Sequence, residues 1–156
     1  MRDFSDADRN RKRNRIQLPD NPGNLSAEKL TLLEKAVMAG IKEGYLSCPA
    51  AWKIARESDV SRLDVGVMID NLGIRVIDCQ IGCFKVSKTP GSRVDMEYSE
   101  PQAEAVQRIK ALDEAGELTC KAMHDLSAEL DIKPLALAGL ANMTGCRIRN
   151  CQLGCF

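Results

Sequence analysis

Apolar residues along this chain recur three and four positions apart, broken by glycine and by short β-branched runs. Leu30, Leu33, Val37 and Ile41 trace one face of a predicted helix. Ser26 stands at its N-cap position with Glu28 soon after, and Gly40 and Gly44 bracket its end. A second helix is predicted over "PAAWKIARES". Ser47 caps it, which puts Cys48 at the first helical position, and Pro49 is tolerated in that first turn. A third helix is predicted over "SRLDVGVMIDNL", ended by Gly73. The β-branched "IRVI" then reads as a short strand leading into a turn at Gln80-Ile81-Gly82.

The whole pattern then recurs at an offset of 72 residues. Gly44, Leu46 and Cys48 fall on Gly116, Leu118 and Cys120. Glu57, Asp59 and Leu63 fall on Glu129, Asp131 and Leu135. Gly73 and Arg75 fall on Gly145 and Arg147. Both copies close on Cys-Gln-x-Gly-Cys-Phe, at residues 79–84 and 151–156. In the second copy Ala103, Val106, Ile109 and Leu112 form the expected first-helix stripe, and Thr119 caps the helix that opens on Cys120. Two such copies imply two similar modules, spanning 25–86 and 102–156, joined by a linker at 87–101 that contains Pro90-Gly91. Residues 1–24 read as a basic arm, expected to be disordered.

The order helix, strand-like dipeptide, helix, turn, helix, strand resembles the helix-turn-helix and winged-helix family, twice. Ala55, Val60, Val65 and Met68 take the characteristic inward places, with Ser127, Ile132, Leu137 and Leu140 as counterparts. The resemblance implies a mainly α protein with short β strands, built as two tandem winged-helix-like repeats, and DNA as a partner. Two departures stand out. Asp59 and Asp131 occupy a turn position that usually holds glycine, and the second copy has no chain left for a full wing.

Length and charge narrow the reading further. The 156 residues allow one ordinary domain or two very small ones. A formal net charge of zero predicts no bulk preference for polyanions. No apolar run is long enough to span a bilayer, and the N-terminus lacks a signal-peptide core, so the expectation is a cytoplasmic chain with no membrane role. Seven cysteines in a reducing compartment favour metal ligation or redox chemistry over structural disulfides.

Six of the cysteines form matched triads, Cys48, Cys79 and Cys83 against Cys120, Cys151 and Cys155. If each unit follows the winged-helix pattern, the dipeptide before its second helix pairs with the strand after its third, and each triad converges. A helix N-terminus favours the thiolate form of Cys48 and Cys120. Gly82 and Gly154 allow a tight turn against a metal. Three thiolates are one short of a closed zinc or iron–sulfur site. Asp78, the neighbourhood of Asn150 or the unmatched Cys146 could supply a fourth ligand. A position could instead stay open, or the triads could share one polynuclear centre. All-sulfur donors favour an iron–sulfur cluster, with zinc as the alternative. A Cys79–Cys83 redox disulfide and plain buried thiols compete with both. His124, the sole histidine, reads as a packing or surface residue.

Functional expectations follow from these features. Arg9, Arg11, Lys12, Arg13 and Arg15 form a basic arm able to grip phosphates, which suggests a DNA-binding regulator that senses redox state or metal. The third helices argue the other way. One offers Arg62 beside Asp64 and Asp70, and the other offers Lys133 and Asn142 on an apolar background. An apolar, poorly charged third helix, tested by a charged residue at Leu137 or Leu140, would suit a protein partner or homodimer instead and make the chain a metal-delivery or interaction module. No catalytic triad, phosphate loop or dinucleotide fingerprint appears, so an enzyme is not expected; an electron carrier is a third reading.

Overall fold

Hydroxyl caps start four of the helices among the described residues. Ser26, Ser47, Ser61 and Thr119 each accept a hydrogen bond from the backbone N–H three residues on, satisfying an otherwise orphaned donor. The computed structural model describes residues 7, 8, 10, 18–83 and 100–155. Its elements run α1 (Ala27–Ala39), β1 (Tyr45–Ser47), α2 (Cys48–Glu57), α3 (Arg62–Asn71), β2 (Arg75–Ile77), α4 (Glu100–Glu114), α5 (Cys120–Leu130) and α6 (Pro134–Met143). The described chain is thus mainly helical, with one short two-stranded sheet. No helix among the described residues is long and apolar enough to cross a membrane.

β1 and β2 pair in parallel, Tyr45 with Arg75, Leu46 with Val76 and Ser47 with Ile77. The second copy repeats the last rung as a parallel bridge between Thr119 and Arg149, closed by Arg149 N–H to Leu118 C=O and Cys120 N–H to Arg149 C=O. Ser47–Ile77 and Thr119–Arg149 are the same pair shifted by the repeat. The sequence copies therefore share a pairing register.

Burial follows the repeat with equal fidelity. Leu33 and Val37 of α1 are buried, and so are their counterparts Ala105 and Ile109 of α4. That corrects the expected α4 stripe: Ala103 is exposed, and Val106 and Leu112 are only half-buried. Leu46, Ile54 and Val65 likewise match the buried Leu118, Leu126 and Leu137. Within each copy the first helix packs against the second and third helices.

The glycine-less turns have a local explanation. Asp59 and Asp131 adopt left-handed backbone, with φ of 49° and 51°. Aspartate visits this region more readily than most residues because its short polar side chain can hydrogen-bond nearby backbone. Asp131→Gly should therefore leave thermal stability about unchanged. Asp131→Val should cost about 1–2 kcal/mol, since a β-branched residue is strained there. Equal midpoints for the two variants would show that the position does not require left-handed backbone.

The chain divides into two compact units, but not at the boundary the repeat suggests. Unit 1 comprises Met1–Asp78 with Gln152–Phe156, and unit 2 comprises Cys79–Cys151. The first closing motif, and the second from Gln152 on, thus belong with the other copy. Ile81 is buried in unit 2 and its counterpart Leu153 is buried in unit 1, each 1% exposed. Residues 18–24, read from sequence as the end of an arm, form a defined turn in unit 1. Asn21 accepts from Leu25 N–H through its side-chain oxygen and donates to Leu25 C=O through its amide nitrogen, and Gly23 N–H donates to Asp64.

Candidate metal centre

The exchange of the closing motifs decides which thiols share a unit. Unit 2 holds Cys79 and Cys83 from the first copy and Cys120 and Cys151 from the second. Cys120 opens α5, its backbone fixed by the hydrogen bond to Arg149 C=O at 3.1 Å. Cys79 and Cys83 flank a tight turn closed by Gly82 N–H donating to Cys79 C=O at 2.9 Å, with Gly82 at φ 66°. A side chain at that φ would be strained, so glycine permits the turn. Asn150, at φ 52°, turns the chain into Cys151, and Asp78, also at φ 52°, does the same for Cys79.

Cys83 reports which sulfurs act on it. Its thiol is held well above the ordinary thiol range. The largest cause is its hydrogen bond with Cys79, followed by partial shielding of the sulfur and then by the negative charges of Cys79, Cys120 and Cys151. Cys83 is exposed as a residue, so shielding alone does not account for the effect. Cys83 also donates weakly to Ile81 C=O at 3.8 Å. Cys83 therefore holds its proton more tightly because three other sulfurs lie within electrostatic range of it. A soft cation that displaces that proton removes the repulsion and is attracted by the charge left behind. Among the described residues, no three His, Cys, Asp or Glu side chains are drawn in to coordination distance of a common metal ion.

The grouping differs from two triads in separate copies. Cys79 and Cys83 keep company with Cys120 and Cys151, whereas Cys48 and Cys155 belong to unit 1. All seven cysteines are thiols. Cys146, weighed as a fourth ligand, is half-buried beside Thr144, whose hydroxyl donates to its sulfur at 3.3 Å. It is not among the charges that act on Cys83. No protein-family model, curated protein or solved structure matches this chain.

Other candidate residues find different surroundings from those expected. Leu137 and Leu140 are core residues, 0% and 7% exposed, in keeping with the inward places the helix-turn-helix pattern gives them, and α6 does not turn them toward a partner. Its exposed apolar residues are Leu135 and Met143. Arg62 does not stand clear of α3. Its guanidinium lies 3.3 Å from the centroid of the Trp52 ring and donates to Gln152 Oε1. Asp64 is a buried cap residue, not a surface acid. Arg9, Arg11, Lys12, Arg13 and Arg15 lie outside the described residues. Sequence reasoning passed over Gly66. A β-carbon there would lie 1.9 Å from the Leu153 carbonyl oxygen. A glycine inside a helical pattern is the signal that could have flagged it.

Proposed function

We propose that this chain is a metal-dependent regulator whose centre is the four-thiol set Cys79, Cys83, Cys120 and Cys151. The observation that carries the reading is that Cys83, hydrogen-bonded to Cys79, is also within electrostatic range of Cys120 and Cys151 in the same unit. Four thiolates complete the donor set that either three-cysteine triad lacked. An all-sulfur set suits an iron–sulfur cluster, with zinc as the alternative occupant. The tandem, winged-helix-like order of elements and the basic arm at 9–15 support DNA as the regulated partner. In that scheme the centre senses redox state or metal supply, and the arm supplies phosphate contacts.

The test is elemental and optical. Anaerobically purified protein should carry either iron with acid-labile sulfide and a brown absorption, or zinc. Serine at any of positions 79, 83, 120 or 151 should abolish the metal content, while Cys146→Ser should retain it. Metal-free wild-type protein, or metal that survives Cys83→Ser and Cys151→Ser, would remove the centre and the regulator with it. Salt-dependent duplex binding that vanishes when residues 1–17 are deleted tests the DNA arm of the reading.

A second reading has its own support. Arg62 is engaged by Trp52 and Gln152, and α6 presents Leu135 and Met143 to solvent. These favour a metal-binding interaction module that does not read DNA. Metal-loaded protein that binds no duplex at low salt, yet loses a co-purifying partner on Leu135→Glu, would favour it.

A further inference from the structure

The third helix of each copy carries a row of residues four apart, Leu63, Val67 and Asn71 on α3 and Leu135, Gly139 and Met143 on α6. A row of that spacing forms one ridge of a helix. On α3 the row is covered from within its own unit. A β-carbon on Gly154 would lie 3.2 Å from Leu63, and Val67 and Asn71 line a cavity shared with Asp20, Asn21, Pro22 and Leu25. On α6, Leu135 and Met143 are 53% and 58% exposed, and a β-carbon on Gly139 would meet nothing within 4 Å among the described residues. Glycine weakens a helix interior, and neither local packing nor a positive φ requires it here.

The α6 row is complementary to itself when turned end for end. Leu135 and Met143 stand four residues to either side of Gly139. Asp131 and Arg147 stand eight to either side, oppositely charged and both exposed. Lys133 has Gly145 as its counterpart, so the reversal sets no like charges together. The helix itself carries no charged residue. A twofold contact requires this property, because residue i meets j while j meets i.

We propose that α6 is the contact face of a homodimer in which two copies cross antiparallel at Gly139. Leu135 of each copy packs on Met143 of the other, Asp131 faces Arg147 at both ends, and Gly139 lets the two backbones approach closely. The inference rests on the exposed face of the interaction-module reading and names its partner as a second copy; it needs no metal. A contact of one helix from each copy falls short of the roughly 1,200 Å² of a stable interface, so the dimer is weak and reversible, with a dissociation constant of about 10–100 μM.

Sedimentation equilibrium of the full chain, reduced and with chelator present, tests this over concentrations that span that constant. Wild type should pass from monomer to dimer. Leu135→Lys and Met143→Glu should each weaken association about tenfold or more, with thermal midpoints unchanged because both side chains are exposed. An equimolar mixture of the two variants should recover most of the association. In the mixed dimer one lysine meets one glutamate, while the other end keeps Leu135 on Met143. Gly139→Leu should keep the fold and abolish the dimer. A monomer at every concentration overturns the proposal. So does association that survives Gly139→Leu, or a mixture of the two charged variants that stays monomeric. A lowered midpoint in Leu135→Lys, where wild type is still monomeric, also overturns it and assigns the face to another part of this chain. A monomer that loses a co-purifying partner on Leu135→Glu fails the dimer while the interaction-module reading stands.

Discussion

Gly66→Ala should destabilise unit 1, against the direction that helix propensity predicts. Alanine is favoured over glycine inside a helix by about 1 kcal/mol, so propensity alone would make this change a gain. The opposing effect is steric. The new methyl group would lie 1.9 Å from the Leu153 carbonyl oxygen and 2.7 Å from its carbonyl carbon, both backbone atoms that no rotamer change can move. The least costly relief is for residues 152–155 to lift away from α3. That forfeits burial of Leu153, worth about 2 kcal/mol, and the charged hydrogen bond from Arg62 to Gln152, worth about 2 kcal/mol more. After the propensity gain, a net loss of about 3 kcal/mol remains. A lower urea midpoint in Trp52 fluorescence, together with faster amide exchange at residues 152–155, is the expected result. A raised midpoint would mean that the segment does not seat on Gly66.

The second copy carries Ala138 at the matching position, 1% exposed. The repeat therefore preserves the register of the core without preserving each contact. This bounds what was legible in the sequence. Helix periodicity, hydroxyl caps and terminal glycines are local signals, and they placed Ser26, Ser47 and Thr119 at their caps and Gly73 and Gly145 at positive φ. The buried pairs Leu46 with Leu118 and Val65 with Leu137 were legible for the same reason. The exchange of the closing motifs was not. Ile81 and Leu153 are apolar in either arrangement, so a hydrophobic pattern cannot tell which unit buries them. The choice is made by shape at Gly66 and by one hydrogen bond at Arg62, both remote in sequence from residues 152–153. The cysteine spacing pointed to thiol chemistry but grouped the sulfurs by copy, because spacing carries no information about a chain that crosses over. The burial of Asp64 was not legible for a related reason. Its partner Gly23 lies 41 residues away, in a segment whose proline and glycine content suggested an arm.

Asp64→Ala is the other substitution with a large expected cost. The carboxylate is 4% exposed and accepts three hydrogen bonds, from Ser61 N–H at 3.1 Å, Ser61 hydroxyl at 2.6 Å and Gly23 N–H at 2.7 Å. Two of these close the reciprocal cap of α3, in which Ser61 Oγ also accepts from Asp64 N–H. The third ties residues 18–25 to the helix. Ser61→Ala removes only its own side of the cap and should cost about 1 kcal/mol. Asp64→Ala removes the acceptor for all three donors and leaves the Gly23 and Ser61 amides without their partner, a loss of about 3 kcal/mol. A half-open cavity of about 120 Å³, lined by Asp20, Asn21, Pro22, Asn71 and Asp64 itself, adjoins the site. Water entering from it can recover part of the loss for Gly23, which keeps the estimate below the sum of three buried bonds. Trp52-detected unfolding gives the magnitude, and amide exchange at Gly23 gives the cause. Faster exchange at Gly23 in Asp64→Ala but not in Ser61→Ala assigns the difference to the long-range bond. Equal midpoints for the two variants would reduce Asp64 to an ordinary helix cap and leave residues 18–25 held by something else.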